Sequence, residues 1–183
     1  MNGSDDLELF SSVELVGGTA HMFPDPNTPF GLALTKPLEP IEGVFETRFQ
    51  LDSFDESEGF STIEIRFGFV ESVTPNVGYY AWLLYTPNDM TVARLSLGTV
   101  TDADSTIYNE TMATVTAGFV PGTYTLRVTV VGTSARADLF TPGGSLLTVD
   151  DPMLIDRQLG SFGVIANHAD VNFEYVSHVG PLP

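Results

Sequence analysis

The main pattern along the chain is an alternation of apolar and polar residues with a period of two. Such alternation is typical of β-strands that have one face in a core and the other in water. It is clearest in five segments, residues 43–51, 61–70, 123–131, 134–140 and 171–177. In the last of them, Val171, Phe173 and Tyr175 are expected to face the core together.

A weaker form of the pattern marks eight more segments, residues 13–16, 19–23, 30–34, 78–85, 92–98, 107–115, 146–149 and 161–166. Turns rich in Gly, Pro, Asn and Asp separate them. About a dozen short strands with such turns predict an all-β, antiparallel two-sheet sandwich with almost no helix. One short helical turn is expected at residues 151–157. No linker divides the chain, so residues 1–183 are predicted to form a single domain, with flexible tails at 1–6 and 178–183.

The charge balance narrows the set of partners. The chain contains 24 acidic and 7 basic residues, and its formal net charge is −17. Nucleic acids and anionic membranes are bound by Lys and Arg, so neither is expected as a partner. The apolar runs are too short to cross a bilayer, which argues against membrane insertion. Cysteine is absent, which excludes disulfides and thiolate chemistry. An acidic chain with Lys36 as its one lysine resembles proteins of halophiles, although an acidic domain from an ordinary organism is the alternative.

The second half of the chain carries a series of features in a characteristic order. They are an aromatic segment at 79–82 (YYAW), a turn and strand at 119–128, a hairpin partner at 135–140, and two closing segments at 160–164 and 171–175. This order resembles the concanavalin A-like jelly roll of laminin-G-type modules, legume-type lectins and many glucanases, over about residues 43–177. The resemblance implies that fold. Since the family includes enzymes, sugar binders, adhesion modules and virion proteins, function has to be argued from a site.

The residues of familiar catalytic sites are missing. Glycosidases need two facing carboxylates, about 5–10 Å apart. The retaining glucanases that the chain resembles carry them as E-x-D-x-x-E on one strand, but here Arg66 stands where the second acid is expected after Glu64. A cross-strand ion pair is the simpler role for Glu64. The histidines do not have metal-ligand spacing either; they are His21, His168 and His178. We therefore expect no enzymatic activity.

Calcium is the one metal that the sequence favours, because it binds carboxylate and carbonyl oxygens in loops. The candidate ligands are Asp102 and Asp104 in one loop and the adjacent pair Asp150 and Asp151 in another. A rim calcium is common in the laminin-G-type modules that the chain resembles, which favours the first pair. In so acidic a chain, a solvated turn is the more frequent explanation of each pair. No cofactor is expected to be required.

Aromatic residues provide the best candidate for a ligand site. Sugar-binding surfaces combine aromatic platforms with a few polar groups. Tyr80 and Trp82 share one face of the segment 79–85, and that face could also carry Arg94 and Glu64. Alternatively, Trp82 is simply the largest residue of the core. Further polar contacts could come from the last predicted loop, which contains Asn167, His168 and Asp170. A plain hairpin turn is the alternative for that loop.

These observations lead to three hypotheses about function. The N-terminal residues are acidic and lack an apolar stretch, so no signal peptide is expected. The first hypothesis is a non-catalytic surface or assembly protein of a virion that infects a halophile, such as a capsid decoration, turret or tail component. It would assemble in the host cytoplasm, form a cyclic homo-oligomer, contact other virion proteins, and bind a cell-surface glycan. The second is an extracellular carbohydrate-binding module or lectin, stand-alone or excised from a longer chain, with calcium as a candidate ligand. The third is an atypical polysaccharide-active enzyme.

Overall fold

The computed structural model describes residues 7–11, 13–16, 19–23, 30–35, 39–54, 59–70, 77–86, 92–101, 106–115, 120–151 and 159–180. All regular elements in these segments are β-strands. A helix with the length and apolar character of a membrane span was not found in them. The predicted helical turn at 151–157 lies outside these residues except for Asp151. The predicted N-terminal tail at 1–6 lies wholly outside them.

The described segments contain fifteen strands. In chain order they are β1 (Leu7–Ser11), β2 (Val13–Val16), β3 (Thr19–Met22), β4 (Phe30–Thr35), β5 (Glu39–Pro40), β6 (Gly43–Phe54), β7 (Ser61–Val70), β8 (Val77–Thr86), β9 (Val92–Thr101), β10 (Thr106–Val115), β11 (Gly122–Val131), β12 (Ser134–Thr141), β13 (Gly144–Asp151), β14 (Leu159–Asn167) and β15 (Ala169–Val179).

The strands form two antiparallel sheets. The larger sheet has the order β1-β4-β14-β7-β8-β9-β10, with β5 paired to β14, and the smaller sheet has the order β13-β12-β11-β6-β15-β3-β2. The chain passes repeatedly from one sheet to the other, so neither sheet is continuous in sequence. The predicted all-β antiparallel sandwich is confirmed.

The core lies between the sheets and is built from the alternating apolar residues. In β6, Phe45, Phe49 and Leu51 are buried, as the alternation predicts. Residues on the inner sides of β7 and β11 meet them in one continuous cluster, and Ile65 and Leu126 are fully covered. Burial of this apolar surface supplies most of the free energy that holds the sheets together.

Most predicted strands agree with the structure to within a few residues, and the differences have local causes. β5 consists of two residues, too short for an alternation to show. β15 continues to Val179, two residues into the expected C-terminal tail. Tyr175 was predicted to face the core with Val171 and Phe173, and this was wrong. A β-bulge between Phe173 and Tyr175 inserts an extra residue and turns the tyrosine to the outside.

The outer side of the smaller sheet is a network of paired polar groups. Glu46 accepts hydrogen bonds from Arg127 Nε at 2.6 Å and from the Tyr175 hydroxyl at 2.5 Å. Arg48 pairs with Glu174 at 3.3 Å. Partial burial, the hydrogen bond to Glu46 and the negative charge of that carboxylate together raise the pKa of Tyr175 to about 12.

The raised pKa of Tyr175 predicts a loss of stability at high pH. The folded protein holds this proton more tightly than the unfolded chain, whose tyrosines titrate near pH ~10. The stabilisation is therefore complete below that pH and is lost as the pH rises to about 12. We expect the urea midpoint of the wild type to fall more steeply over this window than that of Tyr175→Phe. Parallel pH profiles for the two proteins would contradict the assignment.

Candidate functional site

The most distinctive surface is the side of the larger sheet that faces away from the core, called the outer face below. On β7, β8 and β9 the core residues alternate with residues that point the other way. Strand pairing sets Glu64 opposite Trp82 and sets Trp82 opposite Ser96, in one row across three strands. By the same alternation the outer face contains Thr62, Glu64, Arg66, Tyr80, Trp82, Leu84, Thr86, Arg94, Ser96 and Gly98.

Several outer-face residues are buried although they do not belong to the core between the sheets. Tyr80 is 2% exposed, Glu64 is 8% exposed and Ser96 is fully covered. Trp82, Leu84 and Arg94 are half-buried, so they remain partly accessible. Much of the outer face is therefore covered. Of its two aromatic residues Tyr80 and Trp82, Trp82 is the one that solvent can reach.

Glu64 is held by its neighbours on the same strand. Its carboxylate accepts a hydrogen bond from Arg66 Nε at 3.2 Å and lies 3.5 Å from Thr62 Oγ1. The ion pair expected for Glu64 is present, but it forms within β7 rather than across strands. Among the outer-face side chains that the structure describes, Glu64 is the single carboxylate. That arrangement does not provide the two facing acids that glycosidases use.

Tyr80 and Trp82 form an aromatic pair next to a glycine. Their ring centroids are 5.6 Å apart, and the ring planes are inclined at 60° to each other. The Tyr80 ring lies against β9 at Gly98, where a Cβ would stand only 2.7 Å from Tyr80 Cζ. Gly98 thus leaves the space that the hydroxyl end of Tyr80 occupies against β9. The position of Tyr80 in turn fixes one side of the Trp82 indole.

A single methyl group at Gly98 is expected to disturb this pair. Gly98→Ala forces the Tyr80 ring away from β9, and overpacking of this kind costs about 1–3 kcal/mol of unfolding free energy. Trp82 is the only tryptophan in the chain, so its emission spectrum reports the displacement directly. The control is Gly143→Ala, whose methyl group would lie 3.5 Å from its nearest neighbour, an ordinary van der Waals contact. Gly132→Ala is unsuitable because the φ of Gly132 is +58°, which strains any other residue. Equal stability and emission in Gly98→Ala and wild type would contradict the packing described.

The structure brings five of the seven predicted ligand residues onto one face. Glu64, Tyr80, Trp82 and Arg94 all lie on the outer face. Tyr79 and Tyr85, from the opposite side of β8, belong to the core instead. The alternative that Trp82 fills the core is therefore wrong.

Of the other three predicted ligand residues, Asn167 is the fifth on the outer face, and His168 and Asp170 lie away from it. Asn167 ends β14 opposite Thr62, at the end of the outer face. His168 forms the turn after it, with φ at +52°, and its ring meets Phe60 edge-on at 5.4 Å. Asp170 belongs to the smaller sheet, where it bonds His21 Nε2 at 2.8 Å. The turn joins one sheet to the other, so it is a corner of the sandwich rather than a hairpin.

The predicted calcium ligands do not form a cluster in the part of the chain that the structure describes. Asp102 and Asp104 lie outside that part. Asp150, near the end of β13, is exposed and lies 3.7 Å from Arg136 Nη1, while Asp151 is the last residue of the strand. A search of the described residues found no group of three His, Asp or Glu side chains able to hold a metal ion.

A concavity opens on the smaller sheet, but it is less suited to a ligand than the outer face. It has a volume of about 440 Å³ and is lined by Val44, Glu46, Arg127, Thr129, Ser177 and Val179. Its two charged groups already bond one another, and its lining contains no aromatic platform. The outer face of the larger sheet is therefore the better candidate site.

Three outer-face residues were missed in the sequence, namely Thr86, Ser96 and Gly98. The buried hydroxyl oxygens Thr86 Oγ1 and Ser96 Oγ make no hydrogen bond within the described structure. The alternation along β8 already places Thr86 on the same face as Trp82. The faces of Ser96 and Gly98 depend on how β9 pairs with β8, and the sequence does not give that register.

Comparison with known proteins defines the fold. No protein-family model matches the sequence, and no curated protein matches it significantly. Solved structures do match over nearly the whole chain. The exoplasmic/lumenal domain of VIP36, solved with Ca²⁺ and Man3GlcNAc, is 12% identical, with a TM-score of 0.68 over 97% of this chain and 85% of that chain.

Two further matches come from different functional classes. The CBM2 module of the evolved Dit of Lactobacillus casei BL23 phage J-1 is 9% identical, with a TM-score of 0.67 over 97% of this chain and 90% of that chain. A prokaryotic β-1,3-1,4-glucanase (lichenase) from a mouse hindgut metagenome is 10% identical, with a TM-score of 0.65 over 100% of this chain and 96% of that chain.

The class defined by these comparisons is the concanavalin A-like β-sandwich of lectins and glucanases. The resemblance seen in the sequence is thereby confirmed at the level of the fold. This fold is shared by lectins, carbohydrate-binding modules and glucanases. At 9–12% identity the similarity extends to the fold alone, so function has to be argued from the residues of a site.

Proposed function

We propose that this protein is a non-catalytic carbohydrate-binding module that holds its ligand on the outer face of the larger sheet. The observation that carries the proposal is the accessible indole of Trp82, braced by Tyr80 and surrounded by polar groups on one sheet face. An aromatic ring offers the flat apolar surface that one face of a sugar ring prefers, and neighbouring polar groups fix its orientation. The similar VIP36 domain was solved with Man3GlcNAc bound, which supports a sugar as the ligand class.

We propose a non-catalytic module because the hydrogen bonds of Glu64 are already made within the protein. Its carboxylate accepts hydrogen bonds from Arg66 and Thr62, so both of its oxygens already have partners within the protein. No second described acid of the outer face stands opposite it. We expect no release of reducing ends from polysaccharides during long incubation, and turnover that disappears in Glu64→Gln would overturn this part of the proposal.

The direct test is a polysaccharide titration monitored by Trp82 fluorescence. Because the chain has one tryptophan, a saturable change in emission locates binding at the outer face. Affinity electrophoresis in gels that contain the same polysaccharides supplies an independent measure. Binding with no change in emission would place the ligand elsewhere, and no binding across a broad panel would contradict the proposal.

The second candidate function is a place for this module on the surface of a virion. The observation that favours it is the similarity to a carbohydrate-binding module of a phage Dit protein. In that setting the module is a homo-oligomer that contacts other virion proteins and presents its outer face to the host glycan. The charge of −17 fits a high-salt environment, since molar salt shortens the screening length to about 3 Å and removes the self-repulsion.

Light scattering on a sizing column tests this second candidate. A closed trimer, pentamer or hexamer in molar NaCl that loosens at low salt is the expected result, because symmetric particles need cyclic oligomers. A monomer under both conditions would overturn the oligomer and the salt dependence, while leaving the sugar-binding proposal intact.

A further inference from the structure

We infer that the outer-face site takes an uncharged, hydroxyl-rich polysaccharide, and that Ser96 and Thr86 form hydrogen bonds with it. This inference rests on the proposed function and deepens it by naming the ligand class and two binding residues. It follows from the charges, the hydroxyl groups and the placement of the outer-face residues.

The charged side chains that the structure describes on the outer face are already engaged. Glu64 and Arg66 form an ion pair at 3.2 Å, and Thr62 contacts the same carboxylate. Arg94 also has an interaction of its own within the protein. An anionic ligand would have to break one of these contacts, and it would approach a protein that carries a net charge of −17. A cationic ligand would compete with Arg66 for Glu64. An uncharged ligand does not have to break any of these ion pairs or replace one of their members.

Two hydroxyl groups of the outer face lack a hydrogen-bond partner, which a polyol could supply. Ser96 Oγ and Thr86 Oγ1 are buried, and neither makes a hydrogen bond within the described structure. Buried polar atoms are nearly always satisfied, and an exception calls for a partner. Sugar hydroxyls both donate and accept, so they can complete either group. Because both oxygens are covered in the free protein, the ligand has to displace a neighbouring side chain to reach either of them.

The placement of these hydroxyls favours a chain of sugars over a single sugar. Ser96 lies one strand away from Trp82, directly opposite it in the register. Thr86 lies on the same strand as Trp82 and four residues further on, at a distance of about 13 Å for an extended strand. One pyranose ring on the indole cannot reach both hydroxyls, whereas an oligosaccharide that runs along β8 can.

The test compares neutral and anionic polysaccharides in low and molar salt, using Trp82 emission and affinity electrophoresis. A β-glucan and a mannan are the neutral probes, and alginate and polygalacturonate are the anionic probes. We expect binding to the neutral set in both salts and none to the anionic set in either. Saturable binding of alginate or polygalacturonate that depends on Trp82 would overturn the inference while keeping the proposed function. No binding of any probe would overturn the proposed function itself.

Two variants test the named hydroxyls. Ser96→Ala and Thr86→Val are each expected to weaken binding to the neutral probe about three- to tenfold, the effect of one neutral hydrogen bond. Neither should lower the melting temperature, because the hydroxyl that is removed bonds nothing in the free protein. Thr125→Val on the smaller sheet is the matched control and should bind as wild type. Wild-type affinity in both outer-face variants would overturn the role given to these residues.

Discussion

Replacing Trp82 with alanine is expected to abolish measurable polysaccharide binding while leaving the fold intact. The indole is the accessible aromatic platform of the outer face, and central aromatic residues of binding surfaces contribute about 2–4 kcal/mol each. The corresponding loss of affinity is about thirty- to a thousandfold. Affinity electrophoresis measures the loss, since this variant has no tryptophan emission.

The matched control for Trp82 is Tyr175, an aromatic residue on the outside of the opposite sheet. It is 39% exposed, and it bonds Glu46 rather than facing the proposed ligand. Tyr175→Ala should bind the polysaccharide as wild type. Equal losses in the two variants would indicate a general effect on the fold, and retained binding in Trp82→Ala would remove the outer face from consideration.

Replacing Phe45 with alanine is expected to have the largest effect on stability. This ring projects from β6 into the core, where it meets Phe67 and Phe162 of the larger sheet at 5.3 and 5.4 Å and stacks on His178 at 4.4 Å. Because it joins both sheets, its loss leaves a cavity that neither sheet can close alone. Substitutions of this kind cost about 3–5 kcal/mol, a large fraction of the total stability of a domain.

Urea unfolding followed by circular dichroism measures the effect of Phe45→Ala. Val131→Ala is the control, since Val131 is 59% exposed and its truncation should change stability by no more than about 0.5 kcal/mol. A loss below about 1 kcal/mol for Phe45→Ala would mean that the site collapses around the missing ring or that the ring is not packed as described.

The alternation of residues was sufficient to predict the sandwich and most of its strands. It works where one face of a strand is apolar and the other is polar, as in β6, because only one orientation then buries the apolar side. It fails where an extra residue breaks the period. The bulge before Tyr175 could not be anticipated, since the residues on both sides of it fit an unbroken strand equally well.

The candidate site was predicted less completely, and β8 shows why. This strand carries large apolar or aromatic residues on both faces, so the pattern could not say whether Tyr79 or Tyr80 enters the core. The row that joins Glu64, Trp82 and Ser96 depends on the pairing of three strands. Pairing arises from long-range packing and is not encoded in any single segment. Nearness in sequence can also mislead. Asp170 is three residues from Asn167 but belongs to the other sheet.

The corner at His168 has a consequence for how this protein comes to be folded. On either side of it, β14 inserts between β4 and β7 in one sheet, and β15 inserts between β6 and β3 in the other. Both sheets therefore stay incomplete until these two late strands have been synthesised. Contacts between segments so distant in sequence close slowly. We expect nascent chains that end before residue 159 to remain unfolded on the ribosome, and the sandwich to form in one cooperative step once β15 is free to pair.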